Sequence, residues 1–415
     1  MSGFPLLGGM GGAFRHRDYR IYWAGLAISN VGRWLFVTAV GWLSWELTHS
    51  TTWLGIVGFA YSIPILMFSL HGGVLADRLG FLRVTRTSVL IMAVLAITFA
   101  YLTHAGQADI WIVLLFTTLI GSVNAMTSPA QLALVHPLVP QQDLSAAIAI
   151  GSATFNVARF IGPAIAGALI TWVSLAMVLL LYGICLLFQF LALCCLKLSE
   201  NPGRGRAHRS MLAEIMDAVR YVMGEPGLRF IMILLGVTGL FIRPYIELLP
   251  GFSAEIFGRG ADGLAILLSG TGFGAIFSGL WLARRGRTEG LTRVVTFSLM
   301  MSSLALTGFV LSPNIWIGAI CTAGIGFFFL AGGVASQTLL QSAVQSGMRA
   351  RVMSLFTGIS YGIPALGALV AGWAASFLGL QPVIGAGAVI TFLIWLPTRG
   401  EGKRLAGELE KDSMG

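Results

Sequence analysis

Long apolar runs alternate with short polar breaks along the whole 415-residue chain. A helix needs about 20 apolar residues to cross about 30 Å of hydrocarbon at about 1.5 Å per residue. Twelve stretches meet that length: 20–46, 52–75, 85–105, 108–135, 144–172, 174–197, 229–257, 262–283, 291–312, 314–343, 352–378 and 380–398. The fourth, fifth, seventh and tenth are long enough to tilt or protrude. An even number of crossings returns both ends of the chain to one side. The one long polar connection, 198–228, divides the spans six and six. Inside it the apolar positions 212, 215, 216, 219 and 222 have helical spacing, which predicts an amphipathic helix over Met211–Met223 lying on the membrane surface. The expected organisation is an arm at 1–19, a six-helix bundle at 20–197, the linker at 198–228, a second bundle at 229–398 and a tail at 399–415.

Composition agrees: 56% of the residues are hydrophobic and only 10% are charged, a balance no water-soluble domain of this size needs. Charge placement then sets the orientation. Of 26 Lys and Arg, 22 fall on one side of the predicted spans. They lie in the arm (Arg15, Arg17, Arg20), after span 2 (Arg78, Arg83, Arg86), across 197–229, after spans 8 and 10, and in the tail (Arg399, Lys403, Arg404, Lys411). The positive-inside rule makes that side, with both termini, cytoplasmic. The net charge of +9 thus reflects orientation and anionic lipid headgroups, not nucleic acid. The glycine-rich start lacks the pattern of a cleaved signal peptide. Cys185, Cys194, Cys195 and Cys321 sit in apolar stretches and are read as packing residues. No cluster has metal-ligand spacing and no cofactor is expected. Gly270-Thr271-Gly272-Phe273-Gly274 lies inside a span rather than after a strand, so it is assigned to helix packing and not to a nucleotide. Without a Gly-x-x-x-x-Gly-Lys-Ser/Thr run, ATP-driven transport by this chain is disfavoured, and no nucleophile–base arrangement points to an enzyme.

The polar break after span 2 carries the most specific motif, Gly73-Val74-Leu75-Ala76-Asp77-Arg78-Leu79-Gly80. It resembles the loop between helices 2 and 3 of major facilitator transporters, with Phe81-Leu82 where a basic pair usually follows and Arg83 and Arg86 carrying the charge instead. Asn156-Val157-Ala158-Arg159-Phe160-Ile161-Gly162-Pro163-Ala164-Ile165-Ala166-Gly167 is similar to the fifth helix of the drug/proton antiporter branch that includes enterobactin-type siderophore exporters and macrolide efflux proteins. Ser29-Asn30-Val31-Gly32, Ser128-Pro129-Ala130 and Arg349-Ala350-Arg351-Val352-Met353-Ser354 are similar to the same branch. The resemblance runs from about residue 14 to 398. Two departures stand out: Ala158 replaces a glycine of the fifth-helix pattern, and span 4 has Asn124, Ser128 and Gln131 but no arginine. The halves also resemble each other. A shift of 206 lays Gly73, Arg78 and Gly80 on Gly279, Arg284 and Gly286, and a shift of 201 lays Pro163 on Pro364. The implied fold is all-α and membrane-integral, with twelve transmembrane helices in two pseudo-symmetric six-helix bundles around a central cavity.

Charges inside hydrocarbon cost roughly 2.5–3.5 kcal/mol on insertion scales, so each needs a partner or water. Four lie well inside spans: Arg33, Arg159, Arg243 and Glu247. Arg33 and Arg243 sit at similar depth in the first helix of each half, which reads either as a facing cationic pair in the cavity or as structural struts. Arg159, one turn from Asn156, is open to the same two readings. Asn30, Trp34, Asn124, Gln131, Tyr245, Gln337 and Gln341 are the further expected cavity residues, with interhelical bonding as the alternative. Glu247, one turn after Arg243, is the first candidate proton carrier or else an outer-gate ion pair, and Glu46 is the second. By resemblance, Gly73, Asp77, Arg78, Gly80 and Arg83 form a cytoplasmic gating motif. Gly162, Pro163 and Gly167 give span 5 a site of bending and close approach. The resemblance implies proton-coupled export of a small amphipathic organic compound across a bacterial-type inner membrane by a monomer. The partners are the substrate, protons and lipid. Uptake by symport, lysolipid translocation and a transport-inactive sensor or assembly partner are the alternatives.

Overall fold

A computed structural model describes residues 12–196, 198, 211–285, 289–345 and 348–410. Among them, twelve helical segments are long and apolar enough to cross a membrane. The first six are α1 (Arg17–Thr48), α2 (Thr51–Leu79), α3 (Phe81–His104), α4 (Ile110–Ala133), α5 (Leu144–Trp172) and α6 (Leu175–Cys194). The short α7 (Met211–Gly224) follows, then a seventh span made of α8 (Pro226–Val237) and α9 (Tyr245–Gly251), each continued by a π-helical turn, Thr238–Ile242 and Phe252–Ile256. The last five are α10 (Ala261–Arg285), α11 (Leu291–Val310), α12 (Ile315–Ala343), α13 (Arg349–Leu378) and α14 (Leu380–Leu409).

The helices are bounded by ordinary local chemistry. Asp109, Ser174 and Asn314 cap α4, α6 and α12 by accepting from backbone N–H groups of the first turn. Between α2 and α3 the chain reverses at a single residue, Gly80, whose φ of 94° lies where a side chain would be strained. The expected tail is helix as far as Leu409: Leu405 and Leu409 are buried in the core of the second unit, so the chain keeps its helix to fill that core. The predicted amphipathic helix is α7. It buries Ala218 and Val222, exposes Met216, Val219 and Met223, and is tied to α13 by Arg351 and Asp217 at 3.4 Å. The side chains of 211–215 lie outside the described ones, as do Gly286 and most of the linker.

The chain divides into two compact units. Unit 1 holds residues 1–48, 60–206 and 260–265, and unit 2 holds 49–59, 207–259 and 266–415. The division therefore does not fall only at the linker, because the start of α2 belongs with unit 2 and the start of α10 with unit 1. Small residues explain both. A Cβ on Gly55 would meet the Ala368 carbonyl of α13, and one on Gly167 of α5 would meet Ala265 of α10. The pairing of helices repeats. In unit 1, α1 packs on α5 and α6 while α3 packs on α4 and α6. In unit 2, the seventh span packs on α13 and α14 while α11 packs on α12 and α14. That is the same scheme six helices later, the structural counterpart of the sequence repeat. The Gly270–Gly274 run lies on α10 against the backbone of α12, a packing surface.

Close approach makes some glycines irreplaceable. Gly72 of α2 lies against the backbone of Met126 on α4, whereas Gly151 on α5 faces open space. Gly72→Ala is expected to destabilise the protein by about 1–3 kcal/mol, read as a lower melting temperature in detergent. Gly151→Ala should leave that temperature unchanged, and equal behaviour of the two would sink the packing argument.

Candidate functional site

In unit 1 the polar and aromatic groups of α1 meet α5 and α6. Tyr19 donates to the Ala147 carbonyl and Tyr22 to the Gln131 carbonyl, each at 2.9 Å, and Trp23 Nε1 donates to Thr154 Oγ1 at 2.9 Å. These bonds fix the faces that α1 turns toward α4 and α5. Two to three turns further along, Gly162 packs on Trp34, where a Cβ would lie 2.5 Å from the Trp34 Cβ. The arginine one turn before Gly162 thereby comes over the indole: the Arg159 guanidinium carbon is 5.4 Å from the Trp34 ring centroid. Phe155 closes the other side at 5.9 Å. The Trp34 Nε1 is buried and has no hydrogen-bond partner among the described residues, an unspent donor that costs stability where it stands.

Arg33 faces α6. Gly32 beside it packs on Cys185 and Tyr182, and Arg33 and Tyr61 are electrostatic neighbours of the buried Tyr182 hydroxyl. The rings of Phe36 and Tyr182, tilted by 34° with centroids 4.9 Å apart, complete the patch. Asn30, Asn124 and Gln131 are half-buried. Asn156 is spent on its own helix, donating to the Ser152 carbonyl at 2.9 Å. Pro163 lies within α5, which continues through it to Trp172.

Unit 2 carries the acid. The seventh span widens to a π turn just before Arg243-Pro244, and Pro244 has no N–H to continue the ladder. Glu247 follows one turn later, and Arg243 Nη1 lies 3.7 Å from Glu247 Oε1, with both side chains half-buried. That is ion-pair distance but too long for a hydrogen bond, and Arg243 Nη1 is buried without a hydrogen-bond partner among the described residues. Gly58 of α2 lies against the carboxylate, since a Cβ there would be 3.0 Å from Glu247 Oε2. Glu46 is exposed in the last turns of α1. Tyr245, expected at the cavity wall, has the contacts of a core residue: it is 1% exposed, shares a 2.9 Å hydrogen bond with Thr271 and meets Phe309 edge-on. Gln337 and Gln341 are exposed on one face of α12.

Within the gating motif, Asp77, Arg78 and Arg83 are exposed, and Ala76 is buried with Val84 and Ala130. Gly73 is in α2, and its surroundings lie outside the described ones. Arg86 takes a different part: it donates to the Leu193 carbonyl at 2.9 and 2.6 Å and to the Leu196 carbonyl at 3.2 Å, closing the end of α6. The sequence reading did not single out Phe155, Tyr61, Tyr182 or Gly58. For Phe155 and Tyr182 a signal existed, because each lies three or four residues from a polar or small position on the same helical face.

A model of the transmembrane secretion effector family matches residues 11–398. The staphyloferrin A transporter of Staphylococcus aureus is 26% identical over 391 residues, covering 93% of this chain and 96% of that one. The multidrug efflux pump Tap of Mycolicibacterium fortuitum is 24% identical over 382 residues, covering 88% and 93%. A solved POT family transporter in complex with 5-aminolevulinic acid superposes with a TM-score of 0.73 at 14% identity, over 95% of this chain and 97% of that one.

If Arg243 and Glu247 act as a pair, Glu247→Ala should cost about 1–3 kcal/mol by leaving a half-buried cation uncompensated. The double variant Arg243→Met, Glu247→Leu should recover part of that loss. Thermal unfolding of the three variants in detergent reads the coupling, and strictly additive losses would show that the two side chains act independently.

Proposed function

The chain belongs to the transmembrane secretion effector family of major facilitator transporters, and from that membership we propose that it exports a small amphipathic organic compound in exchange for protons. It is a multi-pass membrane protein with the fold of a transporter rather than an enzyme. The observation that carries the coupling is the Arg243–Glu247 pair, an acid inside a span, 3.7 Å from a guanidinium and pressed by Gly58. Glu247 is assigned as the proton carrier and Arg243 as its ion-pair partner, so a small change in their separation makes or breaks the pair. The π turn and Pro244 beside them are where such a change costs least, because the helical ladder is already interrupted.

Three arginines in the spans, Arg33, Arg159 and Arg243, support an anionic or zwitterionic cargo. The Trp34–Phe155–Arg159 cluster offers aromatic faces and a cation to such a molecule. Relatives named as a staphyloferrin A transporter and a multidrug efflux pump support an organic cargo. Gln337 and Gln341 are further lining candidates, and Asp77, Arg78 and Arg83 are assigned to gating at the cytoplasmic end. Transport proceeds by alternating access in a bacterial-type inner membrane, with both termini cytoplasmic.

The test uses purified protein in liposomes holding a pH-sensitive dye, with anionic, zwitterionic and cationic compounds offered in turn. Proton flux opposite to an anionic or zwitterionic compound is expected, and Glu247→Gln should abolish it. Flux in the same direction as the compound would overturn export. Undiminished flux in Glu247→Gln would take coupling away from that residue.

A further inference from the structure

Where α11 begins and α14 ends, unit 2 has a half-open cavity of about 470 Å³. Arg293 and Phe297 of α11 line it, one turn apart, together with Trp395, Arg399 and Lys403, successive turns of α14. The two helices run in opposite directions here, so the rows match in order. Arg399 is nineteen residues after Leu380, the first residue of α14, which at about 1.5 Å per residue is the full depth of the hydrocarbon. Lys403 therefore stands one turn outside the hydrocarbon and Trp395 one turn inside it. On α11, Arg293 is the third residue and Phe297 lies one turn deeper. Cations thus form the outer rim and aromatic rings the inner floor. A Cβ on Gly402 would lie 2.9 Å from Thr296 Cγ2, so the missing side chain lets α14 approach α11 at the rim.

The charges are uncommitted. Arg293, Arg399 and Lys403 are exposed, and among the described residues none of them is held in an ion pair. Among the described lining residues the one acid, Glu410, directs its carboxylate at the first turn of α11 instead. It accepts from the Gly290 N–H at 2.6 Å and the Thr292 N–H at 2.9 Å. It therefore satisfies that helix terminus, and among the described lining residues three cations stand against one carboxylate, a net of +2.

We propose that this cavity binds the headgroup of an anionic phospholipid, its phosphate held by Arg293, Arg399 and Lys403 and its glycerol and first methylenes resting on Phe297 and Trp395. Basic pockets between membrane helices at the polar boundary have the charge and the depth for such headgroups. The aromatic floor selects the lipid over a free anion: inorganic phosphate would use the rim alone, whereas a lipid uses both levels. The proposal concerns a site at the edge of unit 2 and does not depend on the cargo or direction of transport.

The experiment places the full-length protein in nanodiscs of phosphatidylcholine and titrates in brominated phosphatidylglycerol, reading the part of the tryptophan quenching that Trp395→Phe removes. That part should appear with brominated phosphatidylglycerol, be far weaker with brominated phosphatidylcholine, and persist in millimolar inorganic phosphate. The triple variant Arg293→Gln, Arg399→Gln, Lys403→Gln should lose about a hundredfold in preference for the anionic lipid, at about fivefold per cation. Arg15→Gln, Arg17→Gln, Arg20→Gln, with the same change in net charge, should keep it. Equal quenching by the two lipids, or an unchanged preference in the first triple variant, would overturn the proposal. Displacement by inorganic phosphate would reassign the cavity to free anions.

Discussion

No water enters the hydrocarbon of a bilayer, so every backbone N–H and C=O of a crossing segment must find its partner inside the protein. That constraint makes each span a helix, and it also removes the force that usually brings helices together, because lipid is as apolar as the side chains. What remains is contact at close range. Gly72 against Met126, Gly121 against Tyr61, Gly167 against Ala265 and Gly372 against Thr51 are places where one helix reaches another through a missing side chain. Each unit is held by such contacts, and the arrangement of its polar groups follows from them: Gly162 brings Arg159 over Trp34, and Gly58 brings α2 against Glu247.

The same constraint sorts the polar side chains into spent and unspent. Most hydroxyls in the spans return to the carbonyl one turn back, as Thr38, Ser44, Thr127, Ser128 and Thr391 do at 2.6–2.9 Å. They ease local backbone demand and have less left for a ligand. Against that background the Trp34 indole N–H and Arg243 Nη1, both buried and both without a hydrogen bond among the described residues, are exceptions of the kind found where a protein handles a ligand or changes state. They lie in the first and the seventh span.

Much of this was legible in the sequence. Span count and the membership in a transporter family followed from hydropathy length and from a few family motifs. The Arg243–Glu247 spacing already placed both residues on one helical face. What was not legible has a physical reason in each case. A π turn takes more residues per turn than an α-helix, so side chains beyond it are displaced around the axis relative to a 3.6-residue count. Tyr245 comes just after such a turn and faces the core with Thr271 instead of open space. Arg399 ended the last apolar run, yet the helix continues because Leu405 and Leu409 are buried against other helices, a tertiary fact that a hydropathy window does not contain. Phe155 over Trp34 needs the approach of two helices, which no single stretch records.

The exchange of short segments between the units bears on how such a protein is made. Residues 49–59 are translated early, but they pack with unit 2, and the Thr51 hydroxyl donates a hydrogen bond to the Gly372 carbonyl, 321 residues further on. Residues 260–265 come long after the sixth span and complete unit 1. Neither bundle can therefore close in the order of synthesis. The contacts of Gly55 with Ala368 and of Gly58 with Glu247 can form only once those later segments are in the membrane. The contact of Gly167 with Ala265 likewise waits until the eighth span has entered the membrane.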